Sequence, residues 1–235
     1  MYEDASVNGL QVEASESDIK VVALAVDSGQ SVIEKACSAE ADLLIVHHGL
    51  LWGACEPVAG RYGKKIATLL SKKCSLYASH IPLDAHSEVG NNFEMARFFG
   101  LTDIQPYFTY RGKLIGAKGK LAKSANLDYF VERATTMVGK ITPTILPFGK
   151  QRIESVGMVT GGGVGHLEEA AEAGLDLYIT GEPKQSAYHL ARELQINALF
   201  AGHYATETFG VRAVGRKLEK DLDLKIVFID EPTGI

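Results

Sequence analysis

Two adjacent histidines, His47 and His48, end the apolar run at residues 43–46 and are followed by Gly49. The run predicts a buried strand, and ligands of open α/β sheets bind beyond the carboxyl ends of their strands. Successive strand residues point to opposite faces, so we expect the chain to turn at Gly49 if both rings serve one cluster. Taken alone, the motif fits either a metal-binding pair or two hydrogen-bonded structural histidines.

Two further histidines are each followed four residues later by a carboxylate, His80 by Asp84 and His203 by Glu207. Residues at this spacing share one face of a helix, as two metal ligands on a helix do. The residues after His203 have a helical pattern, whereas Pro82 favours a turn between His80 and Asp84. Together with the histidine pair, these motifs predict a set of metal ligands: His47, His48, Asp84, His203 and Glu207.

The chemistry of these donors indicates paired metal ions. Imidazole nitrogens and carboxylate oxygens suit zinc, iron and manganese, and the residues do not choose among them. Five ligands exceed the four of a closed tetrahedral zinc site, so we expect two divalent ions, about 3.5–4 Å apart as in other two-metal hydrolytic sites. Such a pair lowers the pKa of a bound water toward neutrality and would support hydrolysis.

The elements that position these residues come in two copies. Apolar runs at residues 21–26, 42–46, 156–159 and 177–180 alternate with helical patterns, which is typical of an α/β fold with mostly parallel sheets. A shift of 134 positions aligns residues 22–48 with 156–182 without a gap, and a shift of 123 aligns His80 with His203. Chance similarity between βαβ units is the alternative, but the matched histidine and carboxylate endings favour duplication.

We therefore expect two similar βαβ-type lobes, residues 1–103 and 104–235, facing a central metal cleft. A C-terminal strand near residues 224–230 could return to the first lobe. The segment at 104–152 has no counterpart in the first copy and predicts a hairpin followed by a helix around residues 127–138.

Two residues are candidates for proton transfer at the metal site. His80 is a ligand, an orienting partner or a proton carrier, and the orienting role is favoured because ligands need a fixed partner. Glu182 aligns with His48 of the first copy, so we expect it to act as a general base or a substrate contact. Asp27 lies in the turn after the first strand of its copy and is expected to orient a ligand.

A glycine-rich segment at residues 161–165 follows a predicted strand and opens a helix, where backbone N–H groups can hold phosphate. It matches neither the dinucleotide-binding pattern nor the P-loop, so a tight, closely packed turn is the favoured interpretation.

The composition is that of an ordinary globular protein, with 46% hydrophobic and 23% charged residues and a net charge of −5. The acidic balance argues against a nucleic-acid partner without excluding one, and no apolar run predicts a membrane partner. Three cysteines without CxxC spacing, Cys37, Cys55 and Cys74, argue against a disulfide framework and fit a reducing compartment. The expected location is therefore the cytoplasm.

Taken together, the motifs resemble those of the NGG-interacting-factor-three family, whose bacterial members are commonly labelled GTP cyclohydrolase 1 type 2 homologues. The resemblance is carried by residues 7–12, 47–48, 80–84, 180–182 and 202–207, and it runs over nearly the whole chain. It implies two α/β lobes, a dinuclear metal centre and a ring-like homohexamer. Carried over position by position, it implies the same metal ligands: His47, His48, Asp84, His203 and Glu207.

Two classes of function fit these observations. The leading hypothesis is a metal-dependent hydrolase that uses a metal-activated water on a small-molecule or nucleotide-like substrate, with Glu182 or His80 moving protons. The alternative is a metal-binding regulatory or protein-interaction module without turnover. An open metal position that holds exchangeable water would favour the enzyme, and a closed, fully protein-ligated site would favour the alternative.

Overall fold

The structure, a computed structural model, describes residues 2–14, 18–54, 56–138 and 142–234. In chain order the elements are β1 (Gly9–Val12), β2 (Val21–Asp27), α1 (Gln30–Ser38), β3 (Leu43–His48), α2 (Gly60–Ser71), β4 (Ser75–Ala78), α3 (Ile81–Asp84), α4 (Asn91–Phe98), β5 (Leu101–Tyr110), β6 (Lys113–Ala125), α5 (Leu127–Thr135), β7 (Thr144–Pro147), β8 (Ile153–Val159), α6 (Leu167–Glu172), β9 (Leu177–Thr180), α7 (Gln185–Leu194), β10 (Asn197–Phe200), α8 (His203–Leu222) and β11 (Lys225–Phe228).

These elements form two compact units. One comprises Met1–Leu83 and Val211–Glu231, and the other comprises Asp84–Gly210 and Pro232–Ile235. Each unit has one sheet with helices, which confirms the predicted α/β class. The boundary expected between residues 103 and 104 falls inside β5, a strand of the second unit.

The sheet of the first unit has the order β1-β4-β3-β2-β11. Strands β2, β3, β4 and β11 pair in parallel, and β1 joins the edge antiparallel to β4. Alternate residues of β2 enter two different cores. Ala23 and Ala25 pack with residues of α1 and α2, whereas Leu24 packs with Val214 and Leu218 of α8. Helices on both faces bury the strands and leave their carboxyl ends as the place for polar side chains.

The sheet of the second unit has the order β5-β6-β8-β9-β10-β7. Its centre, β8-β9-β10, is parallel, while β6, β5 and β7 add antiparallel pairs, so this sheet is more mixed than the sequence suggested. The predicted hairpin is β5-β6, and the predicted helix after it is α5. A buried cluster that includes Phe93, Phe99, Phe130 and Ile179 packs the helices against the sheet.

Aspartates at corresponding positions fasten the start of a strand in each unit. Asp42 accepts hydrogen bonds from the backbone N–H groups of Lys20 and Val21 at 2.8 and 2.9 Å. Asp176 accepts from those of Glu154 and Ser155, both at 3.0 Å. All three residues of the second set stand 134 positions after those of the first set, so the alignment found in the sequence extends to individual contacts.

Two of the cysteines, Cys37 and Cys74, are free thiols, and Cys55 lies outside the described residues. Burial raises the pKa of the Cys74 thiol to about 12, so this thiol stays protonated at neutral pH. Within the described ranges, none of the helices has the length and apolar character needed to cross a bilayer.

Candidate metal centre

Three histidines of the first unit form a cluster at the carboxyl ends of its parallel strands. His47 and His48 are the last residues of β3, and His80 follows β4. Their rings lie close together, with centroids 4.7 Å apart for His47 and His48 and 4.9 Å apart for His47 and His80. One ring nitrogen from each lies within 4.8 Å of the others, so the three are positioned to hold a metal ion.

The histidine pair does not need the turn that the sequence predicted at Gly49. Strand β3 continues through His48, and Gly49 does not have a positive φ. Gly49 is needed for space instead, because a Cβ there would overlap the Gln11 amide and lie 2.6 Å from the Cβ of Ala78. The two rings stay close because each is held at the end of a different neighbouring strand, His47 by Ser79 after β4 and His48 by Asp27 of β2.

Every ring in this cluster is oriented through Nδ1. The carbonyl oxygen of Ser79 accepts from His47 at 3.0 Å, and the Asp27 carboxylate accepts from His48 at 2.8 Å. An oxygen acceptor keeps the proton on Nδ1, so the lone pair of the neutral ring is on Nε2, the atom then suited to a metal. Asp27, which the sequence analysis expected to orient a ligand, thus fixes the orientation of the His48 ring.

His80 receives its orientation from the N-terminal segment, which sequence reasoning missed. The Asp4 carboxylate accepts from His80 Nδ1 at 2.8 Å and from the Ile81 N–H at 3.1 Å. Burial raises the pKa of Asp4, but hydrogen bonds from Asn8, His80 and the Ser6 backbone outweigh that effect and hold it below its ordinary value. Asp4 is therefore ionised at neutral pH and fixes the His80 ring.

A histidine and two carboxylates form the corresponding cluster of the second unit. Helix α8 begins at His203, directly after Gly202 with a φ of +82°, and its first turn brings His203 Nε2 to 3.0 Å from Glu207 Oε2. Nδ1 of His203 donates to Glu182 at 2.5 Å. Glu182 and His203 therefore form a histidine–carboxylate pair, in which the carboxylate fixes the orientation of the ring.

Asp84 joins this cluster through a short helix rather than the turn that Pro82 suggested. Helix α3 covers Ile81–Asp84, and proline is tolerated in a first helical turn because no intrahelical N–H partner is lost there. Oδ1 of Asp84 accepts from Asn91 at 2.9 Å and from Thr160 at 3.1 Å. A carboxylate oxygen of Asp84 lies within 4.8 Å of one from Glu207.

The carboxylates strongly favour a protonated His203. Burial lowers the pKa of this imidazole, but hydrogen bonds and charges from Glu207 and Glu182 outweigh that effect and raise it to about 9. A divalent cation would also neutralise the negative charge around this buried imidazole, and it would compete with the proton.

Gly161 leaves space beside this cluster. Its φ is +64°, and a Cβ there would overlap a Glu207 carboxylate oxygen and lie 3.0 Å from His203 Nε2. Only glycine combines this backbone conformation with so close an approach to the two side chains. Imidazole and carboxylate donors around a space that a side chain would fill are the arrangement expected for zinc, iron or manganese.

The rest of the glycine-rich segment is a packed turn. The Gly161 N–H donates to Thr206 and the Gly163 N–H to Thr180, both at 3.0 Å. The Gly161 carbonyl accepts from the N–H groups of Gly181 and Glu182. Because these backbone groups already have hydrogen-bond partners within the unit, their contacts favour a packed turn over a phosphate-binding loop.

The sequence-predicted residues thus fall into two groups. The first unit brings together His47, His48 and His80, and the second brings together Asp84, Glu182, His203 and Glu207. Sequence reasoning missed Asp4, Asn91, Thr160 and Trp52, which contact these groups.

Comparison with known proteins identifies the family. The model of the family described as Duf34/NIF3 (NGG1p interacting factor 3) matches residues 1–234. The chain belongs to the DUF34/NIF3 family. This assignment confirms the resemblance noted in the sequence motifs, and the match extends across both units.

Individual relatives in the family are similar over most of their length. A GTP cyclohydrolase 1 type 2 homolog from Archaeoglobus fulgidus is 43% identical, over 100% of this chain and 93% of the relative. One from Deinococcus radiodurans is 40% identical, over 100% of this chain and 88% of the relative. The crystal structure of TTHA1606 from Thermus thermophilus superposes with a TM-score of 0.91 at 40% identity, covering 99% of this chain and 92% of that one.

Proposed function

We propose that the chain binds two divalent metal ions and is a metal-dependent hydrolase of a nucleotide-like substrate. The proposed ligands are His47, His48, Asp84, His203 and Glu207. The observation that carries the proposal is the orientation of the histidines: in both groups an oxygen acceptor engages Nδ1 and makes Nε2 the ring nitrogen that a metal would take, at His203 in competition with a proton.

Zinc, iron or manganese fits this donor set, and Gly161 leaves the space beside His203 and Glu207. When bound, such ions supply Lewis-acid chemistry that polarises a substrate oxygen and makes water a stronger nucleophile at neutral pH. The chain's own contribution is to fix its ligands: Asp27 holds the His48 ring, and Asn91 and Thr160 hold Asp84.

Protons are proposed to pass through Glu182 and His80. The Glu182 carboxylate contacts His203 and is partly exposed, so it can both orient that ring and accept a proton from a substrate. The His80 ring is held by the ionised Asp4, an arrangement that keeps an imidazole in one orientation for proton transfer.

The substrate class follows from the relatives. Proteins about 40% identical over nearly their whole length are called GTP cyclohydrolase 1 type 2 homologs, so GTP is the first substrate to test. Such a reaction would hydrolyse the imidazole ring of guanine and release formate.

The experiment is an assay of formate release from GTP. The purified protein is first depleted of metal by a chelator, and separate samples are then reloaded with zinc, iron or manganese. We expect turnover only after reloading, and His203→Ala should abolish both metal binding and turnover while the chain stays folded. His189→Ala is the matched control, because His189 is an exposed histidine of α7. Full formate release by metal-free wild-type chain would contradict the proposal.

The alternative is a metal-binding regulatory or protein-interaction module. The same assay separates the two functions. Two bound ions without turnover on GTP or on a panel of other nucleotides would favour the module. A coordination position open to exchangeable water, measured by water-proton relaxation of the manganese-loaded chain, would favour the hydrolase.

We also propose that the chain arose by duplication and assembles as a homohexamer. The matched contacts of Asp42 and Asp176 support the duplication. Exposed apolar residues support self-association, among them Leu10 and Tyr77, which face each other across β1 and β4 and are 51% and 41% exposed. Native mass spectrometry tests the hexamer directly, and a monomer at micromolar concentration would contradict it.

A further inference from the structure

Trp52, the only tryptophan of the chain, lies against the histidine cluster of the first unit. Its ring centroid is 5.0 Å from that of His80, at an interplanar angle of 69°, and 5.9 Å from that of His48. The residue is nevertheless 40% exposed. A large aromatic surface is thus kept open to solvent immediately beside residues proposed to bind metal or move protons.

The orientation of Trp52 is fixed. Its indole N–H donates to the Gly49 carbonyl at 2.8 Å, so the only polar atom of the side chain is satisfied within the protein. The backbone on either side is held to the N-terminal segment, by a bridge between Ser6 and Trp52 and by the N–H of Gly53, which donates to the Ala5 carbonyl at 2.7 Å. What remains exposed is therefore apolar ring surface in a preformed position.

Removal of an exposed, fixed indole ring from water is favourable in free energy. Tryptophan is usually highly buried, and its transfer from water is favourable in proportion to its apolar area. Here the loop at residues 49–53 holds the ring at the cluster rather than in a core. Such a ring is suited to a planar partner, because aromatic side chains stack on nucleobases with little entropic cost when they are already fixed.

We propose that Trp52 is the stacking surface for the planar heteroaromatic ring of the substrate, such as a purine base. This inference rests on the proposed function, because it assigns the substrate class of the same site. The stack would hold the base beside the histidine cluster while leaving its edges open to hydrogen-bonding side chains. The alternative is a purely supporting role, in which Trp52 only packs against His80.

The single tryptophan makes the test specific. Its fluorescence reports on this position alone, so ligands can be compared on metal-loaded wild-type chain. We expect guanosine to quench the emission in a saturable manner and ribose 5-phosphate, which lacks a base, to leave it unchanged. Equal quenching by both would overturn the stacking role.

Two substitutions separate stacking from support. Trp52→Leu keeps an apolar side chain without a π-face, and Trp52→Phe keeps a smaller one. By calorimetry we expect guanosine affinity to fall about tenfold in Trp52→Leu and about threefold or less in Trp52→Phe. Tyr188→Leu, which removes an aromatic residue of α7 that is 43% exposed, is the matched control and should bind guanosine as wild type does.

Metal content distinguishes this inference from the proposed function. We expect Trp52→Leu to retain the wild-type metal content by elemental analysis and, where turnover is measurable, to raise KM with a much smaller effect on kcat. Guanosine binding that is equal in wild type and Trp52→Leu, or absent from wild type, overturns the stacking role even if metal binding and turnover are intact. If stacking is observed but neither GTP nor the panel of other nucleotides is turned over, the hydrolase proposal fails and the stacking role stands.

Discussion

At the scale of single residues, the site depends on acceptors that hold its imidazole rings. His48 is held by Asp27, His80 by Asp4 and His203 by Glu182, and each acceptor is a carboxylate within 2.8 Å of Nδ1. Such partners fix both the tautomer and the direction of the ring. Their removal should weaken metal binding even though they are not themselves proposed as ligands.

Asp27→Asn tests this role for His48. An amide is a weaker acceptor than a carboxylate and can present its NH2 group to Nδ1, so we expect metal affinity to fall about 10- to 100-fold. Competition with a chromophoric chelator measures the affinity. Asp18→Asn, at an exposed aspartate, serves as the control. Unchanged affinity in Asp27→Asn would show that the contact does not serve a metal.

Gly161→Ala tests the close approach beside His203. A Cβ would overlap Glu207, and the φ of +64° adds backbone strain, so we expect loss of metal and destabilisation by about 1–3 kcal/mol. Elemental analysis and thermal unfolding measure the two effects. Gly165→Ala is the matched control within the same segment, because a Cβ there meets nothing within 4 Å. Wild-type metal content in Gly161→Ala would contradict the assigned space.

At the scale of elements, Asp176 fastens β8 to the start of β9. Its buried carboxylate accepts from Ser155 N, Glu154 N and the Ser155 hydroxyl, and it pairs with Lys150 at 2.7 Å. Burial raises the pKa of Asp176, but these hydrogen bonds outweigh it and hold the pKa below its ordinary value of 3.8. The ionised carboxylate therefore stabilises the folded chain.

The sign of the pH effect follows from that lowered pKa. The contribution of Asp176 is fully present above its unfolded pKa and is lost as the pH falls through the lower folded pKa. We expect Asp176→Asn to destabilise the chain by about 1–2 kcal/mol at pH 7. Below pH ~4 the free energy of unfolding of this variant should fall less steeply with acid than that of wild type. Urea unfolding at several pH values measures both.

Lys150→Ala is the control for Asp176, because the Lys150 side chain is 75% exposed and an ion pair so open to solvent contributes little to stability. Equal effects of the two substitutions would mean that the exposed pair, rather than the backbone contacts, carries the stability.

The elements of the site were predictable because their signals are local. Apolar periodicity predicted β2, β3, β8 and β9, and the spacing of His203 and Glu207 predicted the first turn of α8. The corresponding positions of Asp42 and Asp176 could also be read from the internal alignment. In each case the residues that make the element, and its start or end, lie within a short stretch of chain.

The orienting contacts were not predictable, because they join distant residues. Asp4 and His80 are 76 positions apart, as are Thr160 and Asp84, and neither Asp4 nor Thr160 belongs to a motif with metal-ligand spacing. Asn91 and Asn92, the first residues of α4, belong to no motif of the sequence analysis, although both are fully buried. Only the fold brings such donors and acceptors together, and pattern alone carries no information about them.

At the scale of the whole molecule, the proposed metal ligands are brought together only by folding, so metal binding should stabilise the folded chain against unfolding. A ligand that binds only the folded state adds about 2.7 kcal/mol when present at 100 times its Kd. We expect zinc, iron or manganese to raise the Tm of chelator-treated wild-type chain and to leave that of His203→Ala unchanged. Calorimetry measures both, and an equal rise in the two proteins would point to binding elsewhere.

The metal content of the purified chain and of two ligand variants tests the central claim most directly. His48→Ala alters the first unit and His203→Ala the second, and elemental analysis after dialysis gives the ions bound per chain. We predict two ions in wild type and fewer ions in each variant, since His48 and His203 are both proposed ligands. Wild-type chain that binds no divalent ion, or variants that keep wild-type content, would contradict the claim.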